Sequence, residues 1–159
     1  MIRVGQGTDA HRFSEDPARP LVLCGVVVPG SRGLAGHSDA DVATHALCDA
    51  ILGAAGLGDL GRHFPAEPAF EDASSLFLLA QSCALAREAG FSVGNADVTV
   101  VAAAPRLEGL LAEMAATLSR TVSAPVSVKA TTTDGLGAIG RAEGIAASAV
   151  VLLEDRSSR

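Results

Sequence analysis

The rhythm of apolar and polar positions divides the chain into strand-like and helix-like stretches. Residues 2–13 and 20–28 are rich in β-formers and joined by the polar segment SEDPARP, which predicts a hairpin or paired strands. After a Gly- and Ser-rich loop (PGSRGLAGHS), an alanine-, leucine- and valine-rich stretch predicts a helix ending near Ala55. Ser38 or Asp39 is able to cap its start. GLGDLGRHFPAEPAF reads as loop. A second helix opens at Asp72-Ala73-Ser74-Ser75 and stops at Gly90, a residue suited to the left-handed position beyond a helix end. NADVTVVAAA (95–104) predicts a strand, Pro105 introduces a third helix over 106–121, and VSVKATTT (126–133) predicts another strand. The glycine-punctuated loop DGLGAIGRAEG leads to a final strand, IAASAVVLLE, and the tail DRSSR is expected to fray.

Strands interspersed with too few helices to cover both faces of a sheet predict an α+β fold. The expected form is a two-layer sandwich, a mixed four-stranded sheet with helices on one face, in a single domain spanning 1–159. The helix ending at Ala55 is apolar around most of its circumference and needs a further surface to cover it, which hints at oligomerisation. Hydrophobic residues make up 48% of the chain and charged ones 19%, the balance of a folded globule. With no Trp, no Tyr and five Phe, its core must be aliphatic and alanine-rich. A net charge of −6 argues against a nucleic-acid surface but not against a small anionic substrate, since a metal and backbone N–H groups supply local positive potential. No apolar run is long enough for a membrane span, and the start MIRVGQGTDAH carries no secretory pattern. Three scattered cysteines fit a reducing compartment, so a cytoplasmic location is expected.

The candidate chemistry begins with Asp9 and His11, which at i, i+2 on an extended segment share one face. His45 interrupts the apolar helix as a third candidate ligand. One carboxylate and two imidazoles compose a catalytic zinc site, which keeps a coordination position open. Asp41, His45 and Asp49 recur at i, i+4, i+8, which makes Asp49 a candidate to hold the imidazole's other nitrogen. His37 and Ser38 precede a helix start that can hold an anion, although Ser38 as a simple cap explains the pattern as well. The run Lys129-Ala130-Thr131-Thr132-Thr133-Asp134 offers hydroxyls and a carboxylate for phosphate oxygens and a hard divalent cation. Arg141 can clamp a phosphate or pair with Glu143. The Gly-x-Gly pairs at Gly5/Gly7 and Gly135/Gly137 open no dinucleotide fingerprint. Cys48, in mid-helix among apolar residues, lacks the setting of a reactive thiol.

The strings GTDAHRF, HSDADVATHALCDAILGAAGLGDLGRHFP, NADVTVVAAAPRL and VKATTTDGLGAIGRAEGIA together resemble the 2-C-methyl-D-erythritol 2,4-cyclodiphosphate synthase family over essentially the whole chain. The resemblance implies a lyase of the non-mevalonate isoprenoid pathway, a homotrimer with active sites at subunit interfaces. It implies zinc on Asp9, His11 and His45, and magnesium or manganese with the substrate diphosphate beside Asp134. The implied substrate is a CDP-linked sugar alcohol phosphate. His37 and Ser38 would hold its 2-phosphate, and Asp59, Leu60, Gly61 and Phe64 its sugar alcohol. Ala102, Pro105, Arg106, Leu107, Thr131, Thr132 and Thr133 would enclose its cytidine diphosphate, with Arg141 in the closing loop. His37 and Thr132 take the catalytic positions. The chain departs from the family pattern at Asp134 (commonly Glu), Ala138 (often aromatic), Arg106 (commonly Lys) and in a shortened FPAEP segment.

Overall fold

The computed structural model describes residues 1–71 and 73–156. A long strand, β1 (Ile2–Arg12), comes first, followed by the strands β2 (Pro20–Leu23) and β3 (Val26–Arg32). The expected pairing of 2–13 with 20–28 is corrected. β2 and β3 pair with each other, and β1 pairs antiparallel with the last strand, β6 (Gly144–Asp155), from Ile2 opposite Glu154 to Arg12 opposite Gly144. The reason is local: Cys24 and Gly25 both take positive φ (53° and 72°), the conformation of a two-residue hairpin turn, so the chain reverses inside the predicted strand.

The remaining elements are α1 (Val42–Ala55), the short α2 (Leu60–His63), α3 (Ser75–Glu88), β4 (Phe91–Val101), α4 (Leu111–Val122), β5 (Val126–Thr131) and the short α5 (Gly137–Gly140). A 3₁₀ turn at Pro68–Phe70 and α2 occupy the stretch read as loop. β4 starts four residues before the predicted strand. α4 starts at Leu111 instead of 106, because 102–110 is irregular and is closed by a turn from the Leu110 N–H to the Leu107 carbonyl (2.8 Å). Gly90 has φ 90° and ends α3 as expected. The predicted opening of that helix at Asp72 and the end of the tail, 157–159, lie outside the described residues.

The main sheet runs β1-β6-β4-β5, with β4 and β5 parallel and the other neighbours antiparallel, which is the mixed four-stranded sheet the sequence predicts. Parity assigns its faces. Val98 and Val100 of β4 and Ala149, Val151 and Leu153 of β6 are buried beneath the helices, while Val4 and Val150 stand on the uncovered face. α1 lies across β1, β6 and β4 and is backed by α3, and every residue of it except Asp49 and Gly53 is buried. Its apolar circumference is therefore covered within the chain, and the surface left unpartnered is the open face of the sheet.

Two contacts fix α1. Where it crosses β1, a Cβ on Gly5 would lie 2.0 Å from the Ala50 carbonyl oxygen, and one on Gly7 would lie 2.0 Å from that of Ala46. At its start, Ala40 takes φ 57° and interrupts the helix, so Asp41 caps it rather than Ser38 or Asp39. The Asp41 carboxylate accepts from the Thr44 N–H (3.0 Å) and hydroxyl (2.7 Å) and from the N–H groups of Cys24 (2.9 Å) and Gly25 (2.7 Å), tying the β2–β3 turn to the helix. Burial pushes its pKa up, and the hydrogen bonds from Thr44 and Gly25 oppose that shift.

Because the obstacle at Gly7 is backbone, the extra methyl of Gly7→Ala has nowhere to go unless the helix moves. The substitution is expected to cost about 3 kcal/mol, measured by urea unfolding followed by circular dichroism. A loss under about 0.5 kcal/mol, the range of a neutral surface change, would contradict the close approach.

Candidate active site

Gly5, Gly7, Asp9 and His11 share the helix-facing side of β1, so the approach that buries the glycines also carries α1 up to the two ionisable residues. His45 projects from α1 to meet them. Asp9 Oδ2 lies 2.8 Å from His11 Nε2 and 3.1 Å from His45 Nδ1, and one ligand atom from each residue falls within 4.8 Å of the others. Tetrahedral zinc with ordinary N and O bond lengths sets its ligands about 3.3 Å apart, so the cluster needs only small adjustments to hold an ion.

The remote ring nitrogens are also held. His11 Nδ1 donates to the Ala35 carbonyl (2.7 Å), which leaves Nε2 facing Asp9, and His45 Nε2 lies 2.8 Å from Ser75 Oγ and 3.1 Å from Ser38 Oγ. Burial raises the Asp9 carboxyl, but hydrogen bonds from both imidazoles and their charge outweigh it and hold the group well below the ordinary carboxylate range. The bond to Asp9 raises His11 above the usual imidazole value, against the opposing effect of burial. Asp9 and His11 keep part of their side chains exposed while His45 is nearly covered, so the cluster opens outward.

Beside it is a pocket of about 160 Å³ lined by His37, Ser38, Leu60, Phe64, Phe70 and Leu78 together with the two imidazoles. The residues expected around the sugar alcohol gather here: Leu60 and Phe64 form the pocket wall, and the exposed Asp59 and Gly61 neighbour Leu60 in the chain, Asp59 capping α2 through the Arg62 N–H (3.0 Å). His37 Nε2 donates to the Glu67 carbonyl (2.8 Å). Asp49, expected behind His45, is corrected to another task. One turn further along α1, it accepts the Leu60 N–H (2.7 Å) and so holds the α1–α2 junction. Ser75 occupies the place expected of Asp49, and no local spacing pointed to it, because it lies 30 residues along the chain from His45.

The other expected residues gather elsewhere. Ala102, Pro105, Arg106 and Leu107 follow the end of β4, Thr131 ends the parallel β5 with Thr132, Thr133 and Asp134 following it, and the Ala102 N–H donates to the Thr131 carbonyl (3.0 Å). Thr132 Oγ donates to Asp134 Oδ1 (3.0 Å) in a tight turn where Asp134 has φ 51°. Of the two alternatives for Arg141, the chain forms the pair with Glu143 (2.7 Å). Residues Ala10, Ala146, Val101 and Thr131 lie in one row across the sheet. Three interstrand spacings, about 14 Å, therefore separate the strand of Asp9 and His11 from that of the threonines. The cysteines are all buried, and burial pushes the Cys83 thiol up to about 11, the Cys48 thiol higher still and the Cys24 thiol well above its ordinary value, none of them the setting of a reactive thiol.

The YgbB family model matches residues 2–154. The chain belongs to that family. A 2-C-methyl-D-erythritol 2,4-cyclodiphosphate synthase of Syntrophobacter fumaroxidans is 57% identical over 156 residues, covering 96% of this chain and 97% of the relative. The bifunctional IspDF of Campylobacter jejuni superposes with a TM-score of 0.92 at 43% identity, over 99% of this chain and 44% of that longer one. An IspF of Plasmodium falciparum in complex with CDP gives a TM-score of 0.84 at 31% identity, over 98% of this chain and 97% of the other.

His45→Ala is expected to abolish metal binding while leaving the fold intact, since alanine favours the helix. Metal content by mass spectrometry, beside a circular dichroism spectrum, checks this. Unchanged zinc uptake by the folded variant would remove His45 from the ligand set.

Proposed function

We propose that this chain converts 4-diphosphocytidyl-2-C-methyl-D-erythritol 2-phosphate to 2-C-methyl-D-erythritol 2,4-cyclodiphosphate and CMP. The observation that carries the reading is the outward-opening Asp9–His11–His45 cluster beside the His37–Ser38 pocket, in a chain whose relatives bear the name of that synthase. An oxygen of the 2-phosphate bonds to the β-phosphorus, the bond from that phosphorus to the bridging oxygen breaks, and CMP leaves with the electron pair. Zinc on the three ligands and magnesium or manganese beside Asp134 would, when bound, act as Lewis acids on the phosphoryl oxygens.

The residues of the chain supply position and exclusion. Ser38 and His37 both line the pocket, His37 anchored through Nε2 on the Glu67 carbonyl, and hold the 2-phosphate. Thr132, steadied by Asp134, holds the diphosphate. A phosphate nucleophile is already ionised at neutral pH, so no side chain is required as general base, and barrier lowering comes from orientation and charge neutralisation. Leu60, Phe64, Phe70 and Leu78 form an apolar wall against the reacting groups. That wall excludes water and favours ring closure over the other reading of such a metal cluster, a phosphohydrolase with water as nucleophile.

The test is a product analysis by ³¹P NMR with the purified protein, zinc and magnesium. Cyclic diphosphate and CMP in equal amounts are expected; an open-chain phosphate product would replace the cyclase with a hydrolase.

The assembly belongs to the same proposal. The metal cluster and the threonine segment stand on different strands about 14 Å apart, so the nucleotide half of each site is read as coming from a neighbouring subunit. The open sheet face supports this reading, with Ile2, Val4 and Val150 exposed by 66%, 68% and 46%, an apolar area that a homotrimer would bury. Light scattering is expected to give about three times 16.0 kDa. Because the chain has no Trp or Tyr, refractive index is the concentration signal. An active monomer would contradict the shared site.

A further inference from the structure

We propose that Asp39 and Ser75 are positioning residues that form a hydrogen-bond relay behind His45, fixing its ring so that Nδ1 presents a lone pair to the metal. The proposal rests on the reading of Asp9, His11 and His45 as metal ligands.

Proton counting carries it. Ser75 is fully buried, and its hydroxyl donates to Asp39 Oδ1. Asp39 Oδ2 accepts the Ser75 backbone N–H (2.8 Å), so both carboxylate oxygens bond to Ser75, and Oδ1 also accepts the Asp41 N–H (3.2 Å). A serine hydroxyl has a single proton. Once that proton is given to Asp39, only lone pairs of Ser75 Oγ face His45 Nε2 at 2.8 Å, so Nε2 must be the donor. With a cation in the place of the proton that Nδ1 donates to Asp9 Oδ2 (3.1 Å), an imidazole keeping its proton on Nε2 turns its Nδ1 lone pair into the cluster. The negative charge of Asp39, passed through the hydroxyl, makes Nδ1 a stronger donor to a cation.

The same bonds explain two local features. Ser74 makes no side-chain cap at the start of α3, and Asp39 takes the first N–H of that helix from 36 residues away. Asp39 therefore anchors α3 and orients the His45 ring through one carboxylate. Ser38 Oγ is farther from Nε2 (3.1 Å) and itself accepts the Ala40 N–H (3.2 Å), which leaves its hydroxyl proton free to point into the pocket.

The test measures zinc affinity by competition with a chromophoric chelator for wild type, Ser75→Ala and Asp39→Asn. Thermal unfolding of the metal-free proteins runs alongside. Weakening of about 10- to 100-fold is expected for Ser75→Ala, the usual effect of removing a partner behind a metal-bound imidazole. Asp39→Asn keeps the shape and is expected to weaken binding about tenfold. The second readout is the Nε2–H proton of His45 in the zinc-bound protein by ¹⁵N-edited NMR. Asp39→Asn should move that resonance upfield and hasten its exchange, although residue 39 does not touch the ring; a role confined to capping α3 would leave it in place. Equal zinc affinity in all three proteins, or an unmoved resonance in Asp39→Asn, overturns the relay alone. A wild type that takes up no zinc overturns the metal reading and the relay with it. Should Ser75→Ala not fold, Asp39→Asn decides.

Discussion

The site depends on how closely α1 can lie against β1. With a side chain at Gly5 or Gly7 the helix would have to stand off the strand, because the opposing atoms are its own carbonyl oxygens. Helices packed through ordinary side chains sit 8–10 Å apart, and a helix over leucines and valines keeps a comparable distance from its sheet. Here alanines at 46, 50 and 54 cross bare backbone, and one turn of helix sits low enough for a single imidazole to reach a carboxylate on the strand beneath. An aliphatic core with only five Phe in the whole chain suits such a contact, since small residues close-pack without bulky rings to wedge the layers apart. The parity of β1 then completes the site: two glycines for the approach, followed on the same face by two ligands.

The loop before α1 turns that contact into a defined geometry. Within seven residues the Ala35 carbonyl fixes the His11 ring, Ser38 faces His45, Asp39 holds Ser75, and Asp41 joins the β2–β3 turn to the first turn of the helix. Each of these groups meets a partner from another segment of the chain, which is how ionisable side chains remain in an apolar layer without a heavy desolvation cost. The two aspartates divide the labour: Asp41 caps the helix it precedes, and Asp39 reaches across to the start of α3. Only the positive φ of Ala40, between them, allows the two carboxylates to diverge.

The parts legible in the sequence were those with a local signature. The Asp9–His11 spacing reports a shared face whatever β1 pairs with, and an imidazole in an alanine-rich helix is conspicuous in any fold. Both survive without knowledge of topology. Pairing does not: β1 joins β6 across the whole length of the chain, and no periodicity in 2–13 distinguishes that partner from the segment at 20–28. The helix start was ambiguous because Ser38, Asp39 and Asp41 are all good caps, and backbone conformation chose among them. Asp49 looked like the group behind His45 by helical spacing, whereas its side chain reaches the Leu60 N–H. Long-range partners such as Ser75 have no spacing at all. The apolar excess that hinted at oligomerisation was real but misplaced, belonging to the open sheet face and not to α1.

The division of the site between strands bears on the kind of assembly that can complete it. β1 and β5 are the two edges of the main sheet and run in the same direction, so the Asp9–His11–His45 cluster and the threonine turn lie at one end of the sheet but on opposite sides of the molecule. An isologous twofold contact places like surfaces together; joining one β1 side to another would bring two Asp9–His11–His45 clusters face to face and leave both threonine turns, the proposed nucleotide halves, unused. Completing a site requires the β1 side of one subunit against the β5 side of the next, which is a heterologous contact. Such a contact repeats until it closes, so a ring is the smallest arrangement in which no half-site is left over. In the proposed trimer every subunit gives one half and receives the other. The apolar part of the open face, Ile2 and Val4 on β1 with Val150 on β6, then finds cover in the ring that a lone chain lacks.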